Sequence, residues 1–180
     1  TRVVVTNASQ NVDKTILIGV NCHTFEPREH PIVSSSICDA NAILPVLNIL
    51  EQHWGIESAF ITTLHPLLAY QNVTDGTLNS ISNPGHSWTD FSLGRATYNN
   101  LIPKDTTAGT ACLTVLPALE GRLDAISFRV PTQIVAASDF SVNVREPISV
   151  ESFHAKVETL ATAFPNVVAL EQRPLVSSDH

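Results

Sequence analysis

The 180-residue chain contains no methionine, and charged residues make up only 15% of it. Acidic residues outnumber basic ones by seventeen to ten, so a surface that neutralises a nucleic-acid backbone is not expected. The longest apolar stretch, residues 42–50, is interrupted by Pro45 and Asn48 and is far shorter than the ~20 residues of a membrane span. We therefore expect neither nucleic acid nor a membrane as a partner. Because the chain opens with Thr1, we do not expect a complete, unprocessed translation product.

Cysteines are also few. The three thiols, Cys22, Cys38 and Cys112, are an odd number and include no Cys-x-x-Cys pair. A disulfide framework and a zinc site are therefore not indicated, and no metal is expected. Free thiols fit a reducing compartment, so we expect the protein to be cytoplasmic.

Two short apolar runs near the start predict strands at residues 2–6 and 14–20. Both runs are nearly continuous in apolar residues, as strands covered on both faces are. The polar segment 23–36 is interpreted as a crossing between two units. We accordingly predict residual strands of a larger sheet in residues 1–33 and a second domain in residues 34–180.

The next segment predicts a helix followed by a returning strand. Apolar residues recur at intervals of three and four over residues 40–54. Pro45 is tolerated only in or near a first turn, so the helix should begin just after Cys38. Residues 56–64 are rich in β-branched and aromatic residues and predict a strand. A helix of ~14 residues rises ~21 Å and the strand to His65 runs back ~30 Å, so we expect His65 to return close to Cys38.

The remaining chain predicts alternating helices and strands without an internal repeat. A polar segment, residues 78–92, is interpreted as a functional or intersubunit loop. The other predicted elements are a helix over 106–116 capped by Asp105, an antiparallel pair of strands at 123–130 and 133–144, a helix capped by Ser149 and stopped by Pro165, and a last strand at 166–176. Together they predict an α+β fold, with a mostly antiparallel mixed sheet and helices packed on one face.

One pair of residues is a candidate for covalent chemistry. Cys38 lies at the predicted helix start, where unpaired amides and the helix dipole favour a thiolate. His65, at the end of the returning strand, is placed to accept the thiol proton or to exchange one with a substrate. The alternative is a packed cysteine and an ordinary polar histidine, and the spacing alone leaves both interpretations open.

Short motifs occur along almost the whole chain in one characteristic order: Arg2-Val3-Val4, Gly19-Val20-Asn21, Ile32-Val33-Ser34, Gly55-Ile56, Thr62-Thr63-Leu64-His65, Asp75-Gly76, Ile102-Pro103, Arg129-Val130-Pro131-Thr132 and Val176-Ser177-Ser178-Asp179. In this order the sequence resembles phosphorylating glyceraldehyde-3-phosphate dehydrogenase, as a fragment that holds the catalytic C-terminal domain and the last strands of the nucleotide-binding domain. Three further motifs resemble its relative erythrose-4-phosphate dehydrogenase: Glu29-His30, Ile56-Glu57-Ser58 and Asp105-Thr106.

The resemblance implies an activity and roles for five residues. In that family a cysteine attacks an aldehyde, a histidine acts as base, hydride passes to NAD, and phosphate releases the acyl group. Cys38 matches the nucleophile and His65 the base. Thr106 and Arg129 match phosphate-binding positions, and Arg95 matches a second phosphate-binding arginine. The family also implies a homo-oligomer, and a C-terminal helix that this chain does not contain.

The chain departs from the family pattern next to the nucleophile. The family reads Ser-Cys-Thr-Thr-Asn, whereas this chain reads Ile37-Cys38-Asp39-Ala40-Asn41. A carboxylate at Asp39 works against both a bound phosphate and a thiolate. Leu68 stands where the family has a phosphate-binding threonine, and Tyr70 departs as well.

None of the seven glycines forms a Gly-x-Gly-x-x-Gly pattern, so NAD is expected to be bound mainly by a domain outside this chain. Three interpretations remain open. The parent protein is an NAD-dependent aldehyde dehydrogenase with an altered acceptor or substrate, a degenerate paralogue that serves as a binding or assembly scaffold, or a standard phosphorylating enzyme.

Overall fold

A computed structural model describes residues 2–69, 71–77, 92 and 94–179. Within them lie seven strands: β1 Val3–Val5, β2 Lys14–Thr15, β3 Ile32–Ser34, β4 Ile56–His65, β5 Ile102–Lys104, β6 Leu123–Arg129 and β7 Ala137–Val144. The α-helices are α1 Cys38–Trp54, α2 Ala108–Val115 and α3 Val150–Ala163, with 3-10 turns at Cys22–Thr24, Pro117–Leu119 and Ser177–Asp179. This content confirms the predicted α+β class. The predicted loop 78–92 lies outside the described residues, apart from Ser92.

The first sheet has three parallel strands in the order β1-β3-β2. The prediction found the two outer strands, but the second one ends at Thr15 and not at residue 20. It missed the central strand, because β3 is only three residues long and lies in the polar, proline-containing segment 23–36. In the register, Val4 pairs with Val33, and Lys14 also pairs with Val33 from the other side. The predicted last strand at 166–176 is wrong, since these residues form turns and irregular chain.

The second sheet has four strands in the order β5-β6-β4-β7, and β5 is antiparallel to β6. Because β4 lies between β6 and β7, the prediction that these two strands pair with each other is wrong. Their alternating pattern identified two strands correctly but not their neighbours. Hydrogen bonds from β4 to the β6 side run from the Ala59–Arg122 pair to the His65–Val130 pair, in the same direction along both segments.

By its internal contacts the chain divides into two compact units. Unit 1 comprises Thr1–Phe60, Thr107–Asp124 and Phe140–Arg173, and unit 2 comprises Ile61–Thr106, Ala125–Asp139 and Pro174–His180. The predicted boundary at residue 33 is a separate division, based on the chain's organisation, and stays a prediction. The interior of unit 1 is apolar and contains most of the buried hydrophobic residues, among them Leu17, Ile43, Leu44, Leu47, Ile56, Cys112 and Leu119.

Helix α1 carries Cys38 as its first residue, one residue before the predicted start just after Cys38. The prediction that Pro45 lies in or near the first turn is wrong, because Pro45 is the eighth residue of an uninterrupted helix. A proline there removes one hydrogen bond to the preceding turn, but Pro45 is buried with the apolar face of the helix. Gly55 ends the helix with φ +64°, a conformation that favours glycine.

The other two helices differ in how they begin. α2 starts at Ala108, and its N-cap residue is Thr107, whose side chain does not cap it, so the prediction that Asp105 caps a helix starting at residue 106 is wrong. α3 starts after Ser149 as predicted. There Ser149 Oγ accepts from the Ser152 amide, and the Ser149 amide donates to Ser152 Oγ, which closes a capping box. Among the helices described, none is long and apolar enough to cross a membrane.

Candidate active site

In unit 1 the loop before Cys38 is held by the first sheet. The Ser35 amide donates to the Val5 carbonyl at 2.9 Å. The Ser34 hydroxyl donates to the Asn7 carbonyl at 2.6 Å and accepts from the Ser36 amide at 2.9 Å. These bonds surround Ser36, which is buried and has φ +63°, a left-handed conformation that a serine adopts only when its surroundings stabilise it. The loop that leads into the helix is therefore tightly determined.

Asn41 fixes the same loop from the helix side. Its Nδ2 donates to the Ser35 carbonyl at 2.8 Å and to the Ile37 carbonyl at 2.9 Å. The residue before the helix, Ile37, offers no side-chain cap to the first amides. Cys38, the first residue of α1, is exposed. The thiol thus lies at a well-anchored, uncapped helix start, where the local field favours a negative charge.

The other two thiols have different surroundings. Cys112 is buried in α2, and burial together with the nearby charge of Asp39 raises the pKa of the Cys112 thiol to about 12. Cys22 is half-buried in a 3-10 turn. Because the thiolate is the reactive form, Cys112 is a packing residue, and Cys38 is the exposed candidate for nucleophilic chemistry.

Unit 1 also contains a cavity of about 790 Å³, to which Ser36 contributes one wall. One face of α2 forms another wall through Thr107, Thr110 and Thr114, and residues 8–15 contribute several more lining groups. The lining is rich in hydroxyl and amide groups. No group of His, Cys, Asp and Glu side chains suited to a metal ion occurs in the part of the chain that the structure describes.

In unit 2 the end of β4 brings His65 next to the segment that follows β6. The His65 carbonyl accepts from the Val130 amide at 2.9 Å, and the Leu67 amide donates to the Thr132 carbonyl at 3.2 Å. Arg129 Nη1 donates to the Pro66 carbonyl at 3.4 Å. His65 itself is 8% exposed. The predicted base and one predicted phosphate ligand therefore lie on neighbouring segments.

The two predicted phosphate-binding arginines differ in their partners. Arg95 is exposed and its Nε donates to Asp75 Oδ1 at 3.0 Å. The Ala96 amide also donates to Asp75, and these bonds lower the pKa of the Asp75 carboxyl. Arg129 is half-buried and forms no ion pair with any carboxylate among the described residues. Arg129 therefore has guanidinium donors left for an external anion, whereas Arg95 is already engaged.

Thr106, the third predicted phosphate ligand, is half-buried between β5 and α2. The prediction placed its hydroxyl at a helix start, but α2 begins two residues later, at Ala108. Of the predicted site residues, Cys38 belongs to unit 1, and His65, Arg95, Thr106 and Arg129 belong to unit 2. The predicted approach of the Cys38 thiol to the His65 ring stays a prediction.

The structure also points to two residues to which the sequence analysis gave no role. Gln71 Nε2 and Thr132 Oγ1 are buried and find no hydrogen-bond partner among the described residues. Thr132 belongs to the Arg-Val-Pro-Thr motif, so its position was visible in the sequence although its state was not. Gln71 carried no such signal, because a lone glutamine in a polar segment matches no chemical pattern.

Comparison with known sequences identifies the family to which this α+β chain belongs. The family model for the glyceraldehyde 3-phosphate dehydrogenase C-terminal domain matches residues 37–180. The chain belongs to this family, which confirms the resemblance seen in the motifs. "Glyceraldehyde-3-phosphate dehydrogenase 2" of Bacillus subtilis (strain 168) is 34% identical over 180 residues, which cover 99% of this chain and 50% of the relative. The chain thus spans about half the length of that relative.

Proposed function

We propose that this chain is the catalytic part of an NAD-dependent dehydrogenase that oxidises a sugar-phosphate aldehyde through Cys38. The exposed thiol at the start of α1 carries this proposal, because Cys22 is half-buried and Cys112 is buried with a raised pKa. Membership of the glyceraldehyde-3-phosphate dehydrogenase family supports the same chemistry.

In the proposed reaction His65 accepts the thiol proton of Cys38, the thiolate adds to the aldehyde carbon, and His65 returns the proton to the carbonyl oxygen, which forms a thiohemiacetal. His65 then accepts the hydroxyl proton as the carbon loses hydride, which leaves a thioester. Attack by phosphate or water on the thioester carbon breaks the C–S bond and restores the thiolate. In this scheme Cys38 supplies the covalent bond and His65 moves the proton.

The cofactor would accept the hydride when bound. We assign none of this chain's residues to holding it, since its seven glycines do not form the turn that binds a dinucleotide. This chain's part is to present the thiol, the base and the substrate-binding groups. Arg129, Thr106 and Arg95 are the residues that we propose for phosphate groups.

Two departures from the family pattern bear on the acceptor. Asp39 follows the nucleophile directly and is buried. A carboxylate ~4 Å from an incoming phosphate costs ~1 kcal/mol in water and ~4 kcal/mol at an effective dielectric constant of 20. Leu68 supplies no hydrogen bond where the family has a threonine. Both changes favour water or a weakly bound phosphate as the acceptor over tightly bound phosphate.

The test uses the full-length protein with a sugar-phosphate aldehyde and NAD, and follows formation of the reduced cofactor. Cys38→Ser should lower kcat/KM by at least about 10³-fold, because the nucleophile is lost. The matched control, Cys112→Ala, should retain activity. Alkylation by iodoacetamide should label Cys38 selectively at neutral pH, and His65→Ala should slow that labelling while His53→Ala should not.

Activity that survives in Cys38→Ser would sink the proposal. A wild-type protein without dehydrogenase activity, in which Cys38 reacts no faster than free cysteine, would also refute the proposal. Those two results together would indicate a scaffold that does not catalyse the reaction. Varying the phosphate concentration separates the acceptors. Saturation with phosphate indicates acyl-phosphate formation, and a rate that is independent of phosphate indicates hydrolysis.

A further inference from the structure

In unit 1 the segment between the first 3-10 turn and β3 forms a tight turn, residues 26–30. The Glu26 carbonyl accepts from the Glu29 amide at 3.0 Å and from the His30 amide at 2.9 Å. The Glu26 amide donates to His30 Nδ1 at 2.9 Å. The His30 side chain thus bonds back to the first residue of the turn, as a side chain of a capping box bonds back to the amide before a helix.

The bond between Glu26 and the ring requires one form of His30. A backbone amide only donates, so Nδ1 must offer a lone pair. In a neutral imidazole with this bond, the ring proton lies on Nε2. A second ring proton would turn Nδ1 into a donor, and two N–H groups would then face each other. The turn is therefore closed by the neutral ring and cannot be closed in this way by the protonated ring.

The His30 ring is also ordered by an aromatic neighbour. It stacks on the Phe25 ring, with 6.1 Å between the ring centroids and 28° between the ring planes. Both side chains are half-buried. Because the stack already restricts the ring, the bond to the Glu26 amide costs little further conformational entropy. We expect this bond to be well formed while the ring is neutral.

The turn leads directly into the central strand of the first sheet. The Pro31 carbonyl accepts from the Val3 amide at 2.9 Å, and the Ile32 amide donates to Asp13 Oδ2 at 2.7 Å. The chain is thus held on both sides from the residue that follows His30. Within the turn, the internal bonds of Glu26 and His30 provide the closure that the sheet does not.

Several ionisable groups lie in the turn or on the segments that contact it. Those in the turn are Glu26, Arg28 and Glu29, and those on neighbouring segments are Arg2, whose Nε donates to the Pro27 carbonyl at 3.5 Å, Asp13 and His23. Carboxylates and guanidiniums ordinarily change charge outside pH 5–8, whereas histidines change charge within it. His23 is exposed, and its ring forms no hydrogen bond within the part of the chain that the structure describes.

We propose that His30 makes this turn sensitive to acid: uptake of a proton by its ring releases the Glu26 amide and opens the turn that leads into β3. The order of the chain before the central strand is thereby coupled to pH in the range in which histidine titrates. This device belongs to the fold of unit 1 and does not depend on the proposed dehydrogenase activity.

Amide hydrogen exchange of the full-length protein tests the proposal, with single-residue readout by mass spectrometry and correction for the intrinsic effect of pH on exchange. Between about pH 7.5 and about pH 5.5, protection of the Glu26 amide should fall about 2- to 10-fold, the effect of losing one hydrogen bond. The Phe164 amide donates to the Leu160 carbonyl at 2.8 Å at the end of α3. Its protection should stay constant and serves as the internal reference.

Three variants identify the group that titrates. His30→Asn places an oxygen where Nδ1 lies and takes up no proton, so the Glu26 amide should stay protected at both pH values. His30→Ala removes the acceptor, so protection should be low at both. His23→Asn is the matched control and should show the same fall in protection as the wild type.

Equal protection of the Glu26 amide at the two pH values in the wild type would overturn the proposal. A fall of wild-type size in His30→Asn would do the same, because the sensitive group would then lie elsewhere. Loss of the fall in His23→Asn would assign it to His23 and not to His30. Each of these results is independent of aldehyde oxidation, so the acid-sensitive turn and the proposed function can fail separately.

Discussion

The buried residues of the two units differ in polarity. In unit 1 the buried residues are mostly apolar, from Leu17 and the inner face of α1 to Leu119. In unit 2 the buried apolar residues among those described are Ile61 and Ile102, and the buried polar ones are Thr63, His65, Gln71, Thr97 and Ser127. Burying apolar groups stabilises a fold directly, whereas burying polar groups is costly unless they are hydrogen-bonded.

The two units also differ in whether their buried polar groups have hydrogen-bond partners. In unit 1, hydrogen bonds of Ser34, Ser36 and Asn41 hold the loop before Cys38, so these polar groups have partners. Unit 2 contains the two buried atoms without partners, at Gln71 and Thr132. We therefore expect substitutions of the two unpaired groups in unit 2 to lower stability less than substitutions of the paired groups in unit 1.

The largest expected effect contrasts the two arginines of unit 2. Arg129→Gln should weaken binding of glycerol 3-phosphate about 10- to 100-fold, because it removes the positive charge and the paired donors that suit phosphate. Arg95→Gln should weaken binding by less than about threefold, because Arg95 is exposed and already bonded to Asp75. Calorimetric titration of both variants checks the difference, and equal losses would break the comparison.

The next effect contrasts two arginines of unit 1. Arg122 donates to Glu51 Oε1 at 3.1 Å and to the carbonyls of Ile56 and Ala118, in a partly buried position. Arg122→Met should lower the free energy of unfolding by about 2–3 kcal/mol, since it leaves a carboxylate and carbonyls unpaired.

Arg173 is the matched exposed residue, because it pairs with Glu171 at 2.6 Å on the surface. Arg173→Met should lower the free energy of unfolding far less than Arg122→Met does, because an exposed ion pair contributes little. Equilibrium unfolding in urea measures both variants. Similar losses in the two variants would mean that the Glu51–Arg122 pair does not contribute as its burial implies.

The smallest expected effect is a pH dependence at Glu51. Burial raises the pKa of this carboxyl, but hydrogen bonds from the Ile56 amide and Arg122 outweigh it, so the pKa lies below its ordinary value of 4.5. A carboxyl whose pKa is lowered by folding stabilises the protein above the unfolded-state value and loses that contribution as pH falls through the folded-state value.

The stability difference between wild type and Glu51→Gln should therefore be constant near neutral pH and shrink below about pH 4.5. Urea unfolding at several pH values gives this difference. A gap that widens on acidification would contradict the assigned direction of the pKa.

Much of the architecture around Cys38 could be predicted from the sequence. The start of α1, the strand that follows it and the cap at Ser149 all came from local patterns, in which residue type and spacing determine structure directly. The pairing of the strands could not be predicted from local patterns. The position of β4 between β6 and β7 depends on contacts far apart along the chain, and alternation shows only that a segment is a strand.

The residues of the candidate site could likewise be predicted only in part. Cys38, His65 and Arg129 could be named from motifs, because these residue types carry recognisable chemistry. Gln71 could not, because its importance lies in a hydrogen bond that it lacks, and that depends on the folded surroundings of one amide. The capping role assigned to Asp105 failed for a related reason, since α2 begins two residues later than that cap requires.

The central position of β3 has a consequence for the order in which the protein is made. β1 and β2 leave the ribosome first, yet each pairs with β3 and not with the other. The interval from Thr15 to Ser34 is 34 − 15 = 19 residues, about one to four seconds of synthesis at roughly 5–20 residues per second. β1 and β2 therefore lack their common partner strand for that time. Cys38 is added four residues after Ser34, the last residue of β3. The chain thus adds Cys38 directly after the strand that completes this sheet.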